Sequence, residues 1–186
     1  TGLLVVAERD GSAFRVVARR SGAQSFIDNG IAWSPDGTRI AAAVFIDQRT
    51  RAKIAAFDLR SGAAKYMSAQ SWLNIGRMVW RNSGLLTIAA DHQSNAMQVI
   101  EIGGDGQTKL VTRDLNGYRS LDASADGSRL VTVQSQRASS SIWIARASDA
   151  GAATQIPAPN GRYYGVSWLD GSRVVTRMDL SGAPEL

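Results

Sequence analysis

The chain has 186 residues, 44% of them hydrophobic and 20% charged, with a formal net charge of +5, one histidine and no cysteine. A chain of this length and apolar content can bury a substantial core. The lack of cysteine excludes a disulfide framework and thiolate metal sites, and no run of about 18 apolar residues marks a membrane-spanning helix.

In chain order, the first apolar run is 3–7 after Gly2, which reads as a second strand of a repeating unit because it looks like 85–89 after Gly84; Asp10 beside Gly11 is a turn former. The run Ile31 to Trp33 then enters a turn in which Asp36 caps backbone N–H groups and Gly37 supplies positive φ. It is followed by a strand at 39–44, a third at 53–59, the turn Ser61-Gly62 and a weaker, more polar fourth strand at 65–68. The unit returns three times. Met78 to Leu86 turns at Gly84, without an Asp-Gly pair, and continues with strands at 85–89, 97–102 and 109–112, the glycine-rich turn containing Asp105 lying before the last. Leu121 to Leu130 turns at Asp126-Gly127 and continues with 129–133, 142–145, a turn at 149–151 and 154–156. Val166 to Val174 turns at Asp170-Gly171 and continues with 173–176; residues 178–186 read as a polar loop plus the first residue of a third strand.

The turn glycines Gly37, Gly84, Gly127 and Gly171 recur at intervals of 47, 43 and 44 residues. That is the length of one four-stranded propeller blade. The predicted fold is all-β, a β-propeller with about four blades' worth of four-stranded antiparallel repeats: a partial blade at 1–28, repeats at about 29–72, 73–117 and 118–160, and a partial blade at 161–186. Counted this way, the strands overshoot one ring closure by a strand, which points to part of a larger ring; a small four-bladed ring is the alternative. Open terminal blades would expose apolar faces, so self-association through blade edges is expected.

No residue set specifies a reaction. His92 is alone in a loop, no Gly-x-Ser-x-Gly elbow or phosphate-binding glycine loop occurs, and no calcium-loop pattern is present, so neither a catalytic residue, a metal site nor a cofactor is assigned. The basic cluster Arg49, Arg51 and Lys53 has no interleaved aromatic residues and reads as a solvated loop, which argues against nucleic acid as a partner. Trp33, Trp80 and Trp168 share one register position and read as packing between blades, as does Trp143. Arg39, Arg129 and Arg173 share another, suited to pairing with carboxylates or covering a blade edge with their stems. Trp72, Tyr118, Arg119, Tyr163 and Tyr164 fall in the connections between blades, where partners dock at the ends of a propeller channel. They form the candidate binding set, for a protein or peptide ligand.

The segments Trp33-Ser-Pro-Asp-Gly-Thr-Arg-Ile-Ala, Ser124-Ala-Asp-Gly-Ser-Arg-Leu-Val and Ser167-Trp-Leu-Asp-Gly-Ser-Arg-Val-Val resemble the TolB-type, WD-like (PD40) β-propeller repeat over essentially the whole chain. The stretches 115–121, 131–135 and 141–145 are similar to the propeller region of large bacterial proteins that also carry a protein-kinase or winged-helix regulatory domain and a membrane span. The resemblance implies a non-catalytic sensor or scaffold on the extracytoplasmic side, with no membrane insertion by this segment and any chemistry in other domains. The alternative it leaves open is the substrate-gating propeller of a prolyl-oligopeptidase-type serine peptidase.

Overall fold

The computed structural model describes residues 1–93, 96–114, 116–136, 139–159 and 161–180. Among these residues there is no helix, only strands in antiparallel sheets joined by turns. β1 (Gly2–Val6) and β2 (Arg15–Arg20) form a hairpin. Three four-stranded sheets follow. Blade A is β3 (Ser25–Trp33), β4 (Arg39–Asp47), β5 (Arg51–Asp58) and β6 (Ala64–Tyr66). Blade B is β7 (Asn74–Arg81), β8 (Gly84–Ala90), β9 (Gln98–Gly103) and β10 (Thr108–Leu110). Blade C is β11 (Gly117–Ala123), β12 (Arg129–Gln136), β13 (Ser139–Arg146) and β14 (Asp149–Gln155), and β15 (Gly161–Trp168) pairs with β16 (Val174–Leu180) to begin a blade D.

The apolar core lies between the sheets. Because side chains alternate across a strand, β4 feeds two layers at once. Ala41 and Ala43 face blade B with Ile54, Trp72, Ile75 and Leu85, while Ile40, Ala42 and Val44 face the β1–β2 hairpin with Leu4, Val17 and Phe57. A third layer joins blades B and C through Leu86, Ile88, Tyr118 and Leu121, and a fourth joins C and D through Val131, Val133, Ile142, Tyr163 and Val166. Strands buried on both faces read as nearly continuous apolar runs, as β8 does with all seven residues buried.

The turn chemistry recurs as the sequence implies. Ser34 Oγ donates to Asp36 Oδ1 at 2.6 Å and accepts the Arg39 N–H at 2.9 Å, while Asp36 Oδ1 accepts the Thr38 N–H at 3.1 Å. Ser124 and Asp126 repeat this set at 2.5, 3.0 and 3.0 Å. Gly37 and Gly127 occupy the left-handed region at φ 69° and 70°. Gly171 does not: its loop is one residue shorter, and Asp170 alone caps it, accepting from the Ser172 and Arg173 N–H groups at 2.8 and 2.9 Å. The second repeat turns through Asn82 and Ser83, with Arg81 paired to Gly84.

A second repeat of side-chain contacts links successive blades. The Arg39 guanidinium lies 5.0 Å from the Trp80 ring centroid and that of Arg129 4.9 Å from Trp168, each arginine covering the tryptophan of the next blade. At the equivalent positions between blades B and C the pair is absent on both sides, Gly84 standing for the arginine and Ala123 for the tryptophan. There Arg81 crosses instead, donating to the Gly127 carbonyl at 3.3 Å and to Glu101 at 2.7 Å. Arg173 pairs with Asp170 at 2.6 Å, and Trp33 is 53% exposed.

Three expectations from the sequence are corrected. β1 is a third strand of its blade and not a second: among the described residues it pairs only with β2, and the chain passes from β2 directly into β3. The two hairpins β1–β2 and β15–β16 thus occupy complementary positions of a blade, and among the described residues the strands show no overshoot. The fourth strand of blade C begins at Asp149, where a turn was expected, because the two-residue turn is at Ala147-Ser148. Residues 178–180 extend β16, and the expected start of a further strand, at 181–186, lies outside the described residues.

Two predictions follow from this packing. A Cβ on Gly30 would lie 2.5 Å from the Ala43 Cβ. Gly30→Ala should therefore lower stability in urea by about 1–3 kcal/mol, and adding Ala43→Gly should recover part of the loss; strictly additive effects would refute the contact. The second concerns acid. Serine hydroxyls first, then backbone N–H groups, hold the Asp36 and Asp126 carboxyls down at about 2, and the Ser172 N–H does most to place Asp170 at about 2. Since these folded values lie below the unfolded value of 3.8, their stabilisation is whole above it and is lost as pH falls toward 2. Denaturation midpoints measured across that range should drop, and Asp36→Asn combined with Asp126→Asn should flatten the slope.

Candidate functional site on the inner wall

The innermost strands β3, β7, β11 and β15 stand next to one another in that order. Each carries a bulge at the same level. In β11 Tyr118 pairs with Gln134 and Ser120 with Val133, leaving Arg119 unpaired, and in β15 Tyr164 is left out between Tyr163 and Gly165. In β7 the residues Gly76 and Arg77 are left out, and in β3 the shift spans Phe26 to Ile31. A bulge re-aims the residue it inserts. Here it turns Asp28, Asn29, Arg77, Arg119 and Tyr164 outward, all of them exposed, around one concavity of about 550 Å³. Arg77 reaches across to Ser167 Oγ at 3.4 Å, and the Arg177 guanidinium lies 5.0 Å from the Tyr164 ring centroid. Arg119 and Tyr164 also border a second depression of about 630 Å³ with Asn74 and Met97.

The binding set expected from the sequence is divided by the structure. Arg119 and Tyr164 are on the inner wall. Trp72, Tyr118 and Tyr163 are 0%, 6% and 3% exposed, and they are core residues. Trp72 exchanges both backbone hydrogen bonds with Ala52, at 2.7 and 2.9 Å, which folds the connection onto β5 and drives the indole into the layer between blades A and B. The tyrosine hydroxyls are fixed from within, Tyr118 donating to Asp114 Oδ2 at 2.7 Å and Tyr163 to the Pro159 carbonyl at 2.5 Å. Tyr118, Arg119, Tyr163 and Tyr164 belong to innermost strands and not to connections.

Asp28, Asn29 and Arg77 escaped the reading of the sequence. The signal in three of the four strands is a phase slip: buried residues fall three apart across the bulge, at Ile75 and Met78, Tyr118 and Leu121, Tyr163 and Val166, whereas β3, which carries Asp28 and Asn29, has no such pair. The basic cluster is tied down locally. Arg51 pairs with Asp47, and Lys53 Nζ donates to the Ala69 carbonyl at 2.9 Å while lying 5.1 Å from the Tyr66 ring centroid. His92 is exposed, and among the described residues no three His, Cys, Asp or Glu side chains are grouped to hold a metal ion.

No protein-family model matches the chain, and no curated protein matches it in sequence. Solved structures are similar to it. The structure of putative TolB from Agrobacterium tumefaciens superposes with a TM-score of 0.71 at 15% identity, over 96% of this chain and 66% of that one. A chain of the nidogen/laminin complex gives 0.71 at 14% identity, over 95% and 64%. Puromycin hydrolase gives 0.69 at 12% identity, over 94% of this chain and 28% of the hydrolase. The chain thus spans less than two thirds of the length of each of these proteins. Together with the sheets described above, these likenesses establish a TolB-type β-propeller fold.

Proposed function

We propose that this chain is a non-catalytic binding module that takes a protein or peptide segment on its inner wall, with Arg77 and Arg119 as the anchoring groups and Tyr164 as an aromatic contact. The observation that carries the reading is the common level of the bulges, which gathers exposed polar and aromatic side chains from all four innermost strands around one concavity. Two guanidiniums facing one carboxylate, Asp28, favour a ligand bearing carboxylates, which arginine binds in a bidentate fork. Its resemblance to the propellers of bacterial kinases and regulators supports a role as the extracytoplasmic sensor or scaffold of a larger signalling protein. Among the described residues β1 pairs only with β2 and β16 only with β15, so a second copy docking on these edges is the homo-oligomer that fits the reading.

A second reading, the substrate-gating propeller of a prolyl-oligopeptidase-type peptidase, draws on the likeness to puromycin hydrolase and to prolyl endopeptidases. A Gly-x-Ser-x-Gly hydrolase domain encoded in the same gene would favour it over the sensor.

Selection from a displayed random-peptide library tests the binding reading. Peptides rich in Asp and Glu should be enriched on the wild-type chain and should bind Arg77→Ser/Arg119→Ser at least about tenfold more weakly. No enrichment, or equal affinity for the double variant, would overturn it.

A further inference from the structure

Blades B and C are packed near the inner wall and separated further out. Between them lies a cleft of about 710 Å³, which the small residues Gly151 and Ala153 of β14 leave open. Its wall carries the Trp143 ring, whose Nε1 donates to Ser141 Oγ at 2.8 Å, so the indole has its polar group satisfied and its face free to stack. Its polar side is an ordered relay. Gln134 Nε2 donates to the Tyr118 hydroxyl at 3.2 Å, and that hydroxyl donates to Asp114 Oδ2 at 2.7 Å. Burial first, then the hydrogen bond to Asp114, pushes the Tyr118 hydroxyl up to about 12, so it keeps its proton and the direction of the relay is fixed.

Direction decides what the cleft offers. With Nε2 committed to Tyr118, Gln134 presents Oε1, an acceptor on a side chain 6% exposed that has no hydrogen-bond partner among the described residues. Asp114 is held by the Asn116 N–H at 3.0 Å and by Tyr118, and its carboxylate makes no ion pair among the described residues, Arg113 beside it included. The cleft therefore presents the Asp114 carboxylate, the Gln134 carbonyl and an aromatic face close together, with the exposed Arg113 guanidinium also in its lining. An ammonium or guanidinium can pair with the carboxylate and donate to the carbonyl at once.

We propose that the cleft between blades B and C binds a small organic cation, an ammonium or guanidinium on an apolar body, with the charge at Asp114, a donor to Gln134 Oε1 and the body against Trp143. The site is separate from the inner wall and does not rest on the peptide-binding reading. Carboxylate pairing and stacking of a cation on indole supply the affinity together.

Calorimetric titration of the wild-type chain with phenethylamine, agmatine, 2-phenylethanol and methyl β-glucoside, with the Trp143 indole resonance followed by NMR, is the test. Phenethylamine should bind saturably and shift that resonance, and neutral 2-phenylethanol should bind at least about tenfold more weakly. Asp114→Asn, which still accepts from Tyr118, should erase the preference for the amine, and Trp143→Ala should weaken both. The comparison of amine with alcohol needs no variant, so a misfolded variant leaves the test intact. Absence of saturable binding by both cations, equal binding of the alcohol, or preference for the glucoside would overturn the proposal. Agmatine binding without phenethylamine would assign the site to guanidinium groups.

Discussion

Every sheet in this chain except those at the ends must bury both of its faces, and that requirement organises the rest. A four-stranded sheet alone exposes apolar side chains on each side; stacked radially, each sheet covers its neighbours, and the chain acquires four apolar layers and no single centre. The run Ala41-Ala42-Ala43, every residue fully buried, shows how closely blade A is approached from both sides. Beside these small side chains, the large Trp72 and Phe57 are buried just as fully and fill the layers on the two sides of blade A. The arginine on tryptophan contacts close the rim of the same layers. Between blades B and C both partners are missing together, Gly84 and Ala123 standing at their positions, and Arg81 ties the two blades instead.

Convergence at the inner wall also accounts for the candidate site. Where four strands meet around a common axis, a regular strand would direct alternate side chains into a neighbouring blade or toward the axis with no choice of residue. A bulge inserts one residue that neither pairs nor packs, and it is free to carry a charge. Arg77, Arg119 and Tyr164 occupy such positions, flanked by buried Ile75, Tyr118 and Tyr163 that keep the strand anchored. The same economy of packing leaves the outer space between blades B and C open, because the layer there is built from Leu86, Ile88 and Leu121 near the wall and from glycine and alanine at the outermost strand.

The repeat, the blade architecture and the Asp-Gly turns were legible because they are local: Asp36 and Asp126 bond to groups within a few residues, and glycine marks the left-handed positions. What was not legible depends on contacts distant in sequence. Trp72 sits among Gln70, Ser71 and Asn74, a polar setting that reads as surface, and only its bridge to Ala52 buries it. Tyr118 and Tyr163 were assigned to connections because the bulges break the alternation that would have extended their strands. The phase of β1 was misread for a related reason: an apolar run after glycine looks alike in second and third strands, and the difference lies in the loop Glu8 to Ser12, which matches the outer turns of the later blades. Arg119 and Tyr164 were found for their composition, and the bulge gives them a position.

Native-state hydrogen exchange measured residue by residue tests the layered core most directly. If packing between sheets carries the stability, the amides of β4 and β8, covered on both faces, exchange slowest, and those of β6 and β10 exchange far faster although they belong to the same sheets. Protection spread evenly across all strands of a blade, or as strong in β6 and β10 as in β4 and β8, would contradict it.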